Sequence, residues 1–207
     1  MGKSMVIALF RHGLTEENEK HAYIGWKDSP LSKTGKRQLA KKQVSKQYEQ
    51  VFSSDLLRAK QTAASLFPNG EIKASACFRE IHFGEWEGQT YEQLKNSPIY
   101  CKWLEEPFAT TPPNGENFAV FAKRVEKGWD LLIEASRSSE RIALVAHGGV
   151  IRYLLQSYGP FGKGFFDYSV AVESGFILVW NDMEAFRRRE RCTLLQEEAL
   201  LAKETGH

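Results

Sequence analysis

At 207 residues, with 42% hydrophobic and 26% charged residues, the chain has the length and composition of one sizeable globular domain with a proper core. A formal net charge of +2 gives no electrostatic case for nucleic acid or an anionic membrane surface as partner. The three cysteines, Cys77, Cys101 and Cys192, are odd in number and form no C-x-x-C pair, which argues against a disulfide framework or a zinc site and fits a reducing cytoplasm.

The first element expected along the chain is a short buried strand, Val6-Ile7-Ala8-Leu9-Phe10, a continuous apolar run too brief for an ordinary helix. Arg11 ends that run, so Lys3 and the strand do not make a signal peptide. Val6 stands where a myristoylation pattern on Gly2 would need Ser or Thr, and no apolar stretch is long enough to span a bilayer. The strand delivers Arg11-His12-Gly13 to the carboxyl edge of a sheet, which is where open α/β sheets bind ligands.

Thr34 is the expected cap of a helix running to about Gln47, followed by a second buried strand at Gln50-Val51-Phe52-Ser53. Ser54 or Asp55 then caps a helix carrying Leu56, Leu57, Ala63 and Leu66, which Pro68-Asn69-Gly70 ends. Ile72 to Ala74 is a weaker strand. The segment from about Glu85 to Glu116 is rich in aromatics and turn formers (Trp86, Tyr91, Trp103, Pro107, Phe108, Pro112) and reads as a lid-like insertion over a site.

From Asn117 to Ser136 runs the longest amphipathic helix, with Phe118, Phe121, Val125, Trp129 and Leu132 at helical spacing. A strong strand, Arg141 to Ala146, ends in His147-Gly148-Gly149, and a helix from Val150 to Tyr158 follows until Pro160-Phe161-Gly162 stops it. Gly175 to Trp180 is a further strand turned by Asn181-Asp182, and the tail contributes an edge strand around Cys192 to Leu195 before fraying. This alternation predicts an α/β fold: a three-layer α/β/α sandwich with a largely parallel central sheet and helices on both faces. With no repeat, low-complexity segment or linker, residues 1–207 are expected to form a single domain.

Two strand ends present histidine followed by glycine, His12-Gly13 and His147-Gly148. If the strands are parallel neighbours, both imidazoles reach the same edge. Arg11 adds a fixed cation there, the glycines admit a ligand close to the backbone, and the helix starting after Gly149 aims unpaired N–H groups at the same place. That is an anion pocket on physical grounds, although a lone strand-end histidine is as compatible with a structural hydrogen bond.

Specificity comes from resemblance. Arg11-His12-Gly13 with Thr15 and Asn18 resembles the R-H-G-E-T-x-x-N signature of the histidine phosphatase superfamily, in the branch that holds the cofactor-dependent phosphoglycerate mutases and their phosphatase relatives. Gly25-Trp26-Lys27-Asp28-Ser29-Pro30-Leu31 with Thr34-Gly35 is similar to that family's G-x-x-D-x-P-L-T-x-x-G segment. Ser54-Asp55-Leu56-Leu57-Arg58-Ala59-Lys60-Gln61-Thr62-Ala63 is similar to its S-D-L-x-R-A-x-Q-T-A helix start. Further along, Glu80-Ile81-His82-Phe83-Gly84-Glu85-Trp86-Glu87-Gly88 and Pro113-Asn114-Gly115-Glu116 match its later motifs in order. Leu14 departs from the pattern, standing where the family has Glu or Gln, which bears on local hydrogen bonding or substrate shape rather than on the chemistry.

The resemblance implies a metal-independent phosphomonoesterase without cofactor, acting on a small-molecule phosphate ester. His12 would be the nucleophile, forming a phosphohistidine that water hydrolyses. Arg11, Arg58 and His147 would surround the phosphoryl oxygens, with Asn18, Gly25 and Gly148 completing the substrate contacts. Glu80 would protonate the leaving alcohol and then take a proton from water, for which an aromatic surround such as Phe83 and Trp86 would favour its acid form by desolvation. Glu85 is the rival for that role; Glu80 is preferred because the family's acid precedes the Phe-Gly pair. His21 and His82 read as structural or exposed, and Arg187-Arg188-Arg189 with Arg191, interrupted by acidic residues, as a solvated edge.

The family's mutases hold a small carboxylate-bearing substrate with basic residues on a longer insertion. Here Tyr91 to Gly115 offers only Lys95 and Lys102, so hydrolysis is favoured over transfer. An α-ribazole-5'-phosphate phosphatase and a phosphoglycerate mutase remain the alternatives within the class. Outside it stands a non-catalytic module that binds phosphorylated partners. The sequence does not set whether the chain is a monomer or a homodimer.

Overall fold

A computed structural model describes residues 3–44, 47–172 and 174–202. In chain order its elements are β1 (Met5–Arg11), α1 (Glu16–Glu19), α2 (Lys33–Ala40), β2 (Lys42–Gln43), β3 (Gln50–Ser54), α3 (Leu57–Leu66) and β4 (Ile72–Ser75). There follow α4 (Tyr91–Leu94), α5 (Pro98–Glu105), α6 (Phe118–Ala135), β5 (Arg141–Ala146) and α7 (Gly148–Tyr158). The chain then adds β6 (Ser174–Trp180), α8 (Met183–Arg187), β7 (Leu194–Ala199) and β8 (Leu201–Ala202). Short 3-10 turns occupy Ala76–Phe78, Gly84–Trp86 and Phe165–Asp167.

Six strands form one sheet in the order β4-β3-β5-β1-β6-β7. The four from β4 to β1 are parallel to one another, and β6 and β7 extend the sheet antiparallel. The expected largely parallel sheet is therefore present, with a mixed edge. That edge follows from a short turn: α8 and the loops around it bring the chain straight back beside β6, a return no parallel crossover needs to make.

The apolar strands are buried on both faces, as their unbroken hydrophobic runs require. Along β1, Met5, Ile7 and Leu9 face one layer together with Ile142 and Leu144 of β5, and meet Phe121, Val125 and Trp129 of α6 and Ile151 and Leu154 of α7. The alternate residues Val6, Ala8 and Phe10 face the other layer with Ala143 and Val145, and meet Leu39 of α2 and Ala59, Ala63 and Leu66 of α3. Truncating one of these fully buried leucines, such as Leu144, is expected to cost about 2–5 kcal/mol.

Several sequence-derived boundaries are corrected. Ser32 and not Thr34 caps α2, its hydroxyl accepting from the Gly35 N–H, and the helix ends at Ala40, where the chain turns into β2 instead of continuing to Gln47. Ser45 and Lys46, which the longer helix would have included, lie outside the described residues. Neither Ser54 nor Asp55 is the cap residue of α3: that position is Leu56, which has no side-chain cap, and the carboxylate of Asp28 from a distant loop accepts the Leu57 N–H instead. A cap supplied by the tertiary fold has no local sequence signal. Helix α7 begins at Gly148, two residues before its expected start, with His147 as its cap residue. The long helix matches its expected limits, with Asn117 accepting from the Val120 N–H. Among the described residues, no helix is long and apolar enough to cross a membrane.

Candidate active site

β1 and β5 run parallel in register Phe10↔Val145 and Arg11↔Ala146, so the residues that follow each strand emerge side by side at the carboxyl edge. The His12 and His147 rings lie 5.1 Å apart between centroids. Both are buried, and both imidazoles titrate well below their ordinary 6.5, chiefly because burial penalises the charged ring and secondarily because the Arg58 and Arg11 cations stand nearby. Each ring is neutral at neutral pH.

His12 Nδ1 lies 2.8 Å from the Gly13 carbonyl oxygen, an acceptor that places the ring proton on Nδ1 and leaves the Nε2 lone pair free. The Gly13 backbone is held in turn, its N–H donating to Thr62 Oγ1 at 3.0 Å while the Thr62 hydroxyl donates to the Arg58 carbonyl at 2.7 Å. Thr62 thus ties α3 to the loop after β1.

Arg58 is fully buried, and burial pulls its guanidinium down to about 10 against the opposing carboxylates of Glu80, Asp28 and Glu87. It is aimed by two backbone acceptors, Nη1 donating to Lys27 O at 2.9 Å and Nη2 to Gly25 O at 2.7 Å. Gly25 therefore works through Arg58. Its backbone is left-handed (φ +28°), and a Cβ there would stand 2.1 Å from a Glu87 carboxylate oxygen. Arg11 donates through Nη1 to the Val170 carbonyl. Burial lowers its pKa as well, with Glu80 opposing the fall and Arg152 adding to it.

Arg11 Nε, Arg58 Nε and both nitrogens of His147 are buried without a hydrogen-bond partner among the described residues. Orphaned polar atoms are costly in a folded interior, and with His147 at the N-terminus of α7 and Arg11 Nε beside Gly148 such donors suit an anion with several oxygens. Among the described residues, no three His, Cys, Asp or Glu groups cluster to hold a metal.

Glu80 approaches from the segment between β4 and α4. Its carboxylate accepts the Ile81 N–H at Oε1 and the Gly149 N–H at Oε2, both at 2.9 Å, which brings it to the first turn of α7. A Cβ on Gly149 would come within 2.2 Å of Glu80 Oε1, so this approach requires glycine. The Glu80 carbonyl is pinned by the Trp26 indole N–H at 2.8 Å and by Arg124 Nη2 at 3.1 Å. Arg124, paired with Glu116, also holds the carbonyls of Cys77 and Arg79, and so fixes the whole approach to Glu80 from α6.

The rival Glu85 is exposed and takes the Asn114 side-chain amide, away from the imidazoles. Glu87 accepts three backbone N–H groups, from Trp26, Lys27 and Phe83. His82 stacks on Trp26 at 4.9 Å. Of the two aromatics expected around Glu80, Phe83 lines the adjoining cavity, whereas Trp86 does not and packs behind that wall with Leu94 and Tyr100. Asn18 closes a capping box at α1, its Oδ1 accepting from the Thr15 N–H, so its side-chain NH2 is the group left to act as a donor. The arginine run is exposed at Arg188 and Arg189, the solvated edge expected, but its members also brace the fold: Arg189 pairs with Glu126 and Asp130, Arg187 holds Ser136, and Arg191 holds the Gln156 and Gly159 carbonyls.

Sequence reasoning passed over Thr62, Arg124 and Arg152. Thr62 lay inside a quoted motif without a role. Arg124 and Arg152 sit on helix faces whose partners are distant in sequence, and no local pattern marks them.

The chain matches the model of the histidine phosphatase superfamily (branch 1) over residues 7–182. It is 28% identical to the adenosylcobalamin/alpha-ribazole phosphatase of Salmonella typhimurium over 158 residues, 73% of this chain and 78% of that protein. A solved structure of a phosphoglycerate mutase from Thermus thermophilus superposes with a TM-score of 0.70 at 30% identity, covering 95% of this chain and all of that one (100%). The alpha-ribazole phosphatase of Shigella flexneri superposes with a TM-score of 0.78 at 24% identity, covering 98% and 99% of the two chains, a likeness of fold.

Proposed function

Because the chain belongs to branch 1 of the histidine phosphatase superfamily, we propose that it hydrolyses small phosphate monoesters through a phosphohistidine on His12. The observation that carries this reading is the His12 Nδ1 contact with Gly13 O, which leaves the Nε2 lone pair free beside Arg11 and Arg58, whose Nε atoms, like both His147 nitrogens, have no hydrogen-bond partner among the described residues.

Arg11, Arg58, His147 and the first turn of α7 hold the phosphoryl oxygens, and Asn18 adds a neutral donor. His12 Nε2 attacks phosphorus: the P–N bond forms, the ester P–O bond breaks, and the proton of the Glu80 carboxyl goes to the departing alcohol oxygen. Water then attacks the phosphohistidine. Its proton returns to Glu80, the P–N bond breaks, and inorganic phosphate leaves. Phosphoryl transfer asks mainly for position and charge, and the buried guanidiniums supply both. Gly25 supports the reaction through the aim of Arg58, and Gly148 through the space it leaves beside Arg11.

Hydrolysis is favoured over transfer between phosphoglycerates by the lid segment, about residues 85–116. Lys95 is paired with Glu92, and neither it nor Lys102 lines the cavity beside Glu80, whose walls are largely aromatic. Such walls suit the alcohol of an α-ribazole phosphate among other large alcohols, in keeping with the Salmonella relative's name. One domain carries the whole site, and the odd, unpaired cysteine set favours work in a reducing cytoplasm.

The test is turnover of p-nitrophenyl phosphate with EDTA present. Turnover that His12→Ala abolishes is the expected result; a wild-type protein inert on a panel of phosphomonoesters overturns the reading. Conversion of 3-phosphoglycerate to 2-phosphoglycerate in the presence of 2,3-bisphosphoglycerate would identify a mutase instead.

A further inference from the structure

Arg152 has no part in the site described so far, and its surroundings give it one. It projects from the second turn of α7 into the wall of a cavity of about 170 Å3 that Glu80 and Gly149 also line. The rest of that wall is mostly aromatic, including Tyr23, Phe83, Trp103 and Phe118, and carries no further charge. Since Glu80 must protonate the departing oxygen, that oxygen sits at the cavity edge and the body of the alcohol lies inside.

Arg152 Nε donates to the Tyr168 carbonyl at 3.2 Å, and Tyr168 is itself fixed, being buried with its hydroxyl on the Leu155 carbonyl. The guanidinium is thereby oriented before any ligand arrives. Its terminal nitrogens have no hydrogen-bond or carboxylate partner among the described residues. Across Gly148 it faces Arg11: the point where a Gly148 side chain would begin is 3.6 Å from both Arg11 Cζ and Arg152 Nη1.

Position decides what it is for. Arg11 and Arg58 stand beside the His12 ring, whereas Arg152 lines the neighbouring chamber. Arg152 is thus a further cation, held between the phosphoryl site and that chamber. We propose that Arg152 is a specificity-determining residue that binds an oxygen acceptor, carboxylate or hydroxyl, on the leaving alcohol of an ester whose remaining body is aromatic or otherwise apolar. This rests on the phosphatase reading and names its substrate class. A guanidinium with its Nε already engaged presents its two terminal groups as a fixed pair of donors, which suits a carboxylate best.

Three esters separate the possibilities: phenyl phosphate, 3-hydroxyphenyl phosphate and 3-carboxyphenyl phosphate, each measured with the wild type, Arg152→Met and Arg152→Lys. The expected result is a loss of about 10- to 100-fold in kcat/KM for the substituted esters in Arg152→Met, the range of a hydrogen bond to a charged group. Phenyl phosphate should change by less than about threefold, below the range of any retained charged hydrogen bond. Arg152→Lys should recover part of the loss on the carboxylate. A loss confined to the 3-carboxyphenyl ester identifies an anionic acceptor, and one shared with the 3-hydroxyphenyl ester a neutral one; either supports the proposal. Equal loss on all three esters overturns it, since Arg152 would then serve the phosphoryl group, and so does no loss on any. If the wild type turns over none of them, the phosphatase reading fails first. Turnover with unmoved ratios sinks this proposal alone.

Discussion

The phosphoryl pocket and the aromatic cavity meet at Glu80 and Gly149, yet they are built by opposite means. The pocket is made of strand ends and helix starts: His12 after β1, His147 after β5, Arg58 in the first turn of α3. Two of these groups are held by backbone atoms of the scaffold, His12 by Gly13 O and Arg58 by Gly25 O and Lys27 O. The cavity is made of loops, with Phe108 from the lid segment, Phe165 and Phe166 from the turn after α7, and Phe118 from the start of α6. Its residues touch one another and solvent more than the sheet: Phe108 is 49% and Phe166 60% exposed. A rigid polar pocket suits a reaction that is the same for every ester. A looser apolar chamber suits choosing among alcohols.

That contrast predicts that changes in the pocket strike all substrates alike, and His12 is the extreme case. His12→Ala should lower kcat by about 10⁶-fold on any ester, the scale seen when a covalent nucleophile is removed. Rapid acid-free quenching with a labelled ester should trap a phosphoprotein in the wild type and none in the variant. A phosphoprotein that persists in His12→Ala would place the nucleophile elsewhere.

Glu80 belongs to both regions, and its removal should show it. Glu80→Gln is expected to cost about 10²- to 10⁴-fold on an alkyl phosphate, whose alcohol must be protonated as it leaves, and far less on p-nitrophenyl phosphate. An equal loss on both esters would assign Glu80 to positioning alone. Gly149→Ala, which pushes a methyl against Glu80 Oε1, should reproduce the same leaving-group dependence in weaker form.

The pocket also predicts a pH effect that the cavity does not. His12 and His147 titrate well below 6.5 in the folded chain, so below that value the unfolded chain binds protons that the fold refuses. Their contribution to stability is fully present above about pH 6.5, the ordinary imidazole value, and is lost as pH falls towards the lowered folded values. Thermal midpoints measured from pH 7.5 down to 5 should fall, and His147→Asn should fall less steeply. Activity should survive below pH 6.5 as long as Nε2 of His12 stays unprotonated. Parallel slopes for wild type and variant would remove the buried imidazoles as the cause.

The same contrast explains what was legible in the sequence. Apolar runs ending in Arg11-His12-Gly13 and His147-Gly148 announce buried strands and the pocket at their ends, because strand, turn and functional residue are adjacent in the chain. The sheet's antiparallel edge was not announced, since the apolar run of β6 reads alike in either direction and β7, Leu194-Leu195-Gln196-Glu197-Glu198-Ala199, carries no such run. Nor was the real cap of α3, because Asp28 reaches Leu57 across the fold. Arg152 and Arg124 escaped for the same reason: each lies on a helix among ordinary surface charges, and only packing shows that one enters the cavity and the other grips the Glu80 segment. Trp86 reads as a neighbour of Glu80 by spacing alone, and the turn at Gly84–Trp86 places it behind the cavity wall with Leu94 and Tyr100.

The smallest effect expected is the one that tests the cavity by itself. Phe108 packs at 4.5 Å from Phe118, 5.8 Å from Phe165 and 5.6 Å from Phe166, ring centroid to ring centroid, so it joins the three segments that enclose the chamber. It is half exposed and outside the main core clusters, so Phe108→Ala should leave the thermal midpoint nearly unchanged. An aryl alcohol would lose part of one apolar wall, about 30–50 Å2 of contact, which corresponds to roughly a three- to tenfold rise in KM. A small alkyl phosphate that does not fill the chamber should keep both kcat and KM. Were the alkyl ester to suffer equally, the chamber would be part of the catalytic scaffold and the division between the two regions would fail. A change in KM restricted to aryl esters means instead that the chamber sorts alcohols without touching the chemistry, and that loop substitutions there can retune specificity while His12 and its cations stay as they are.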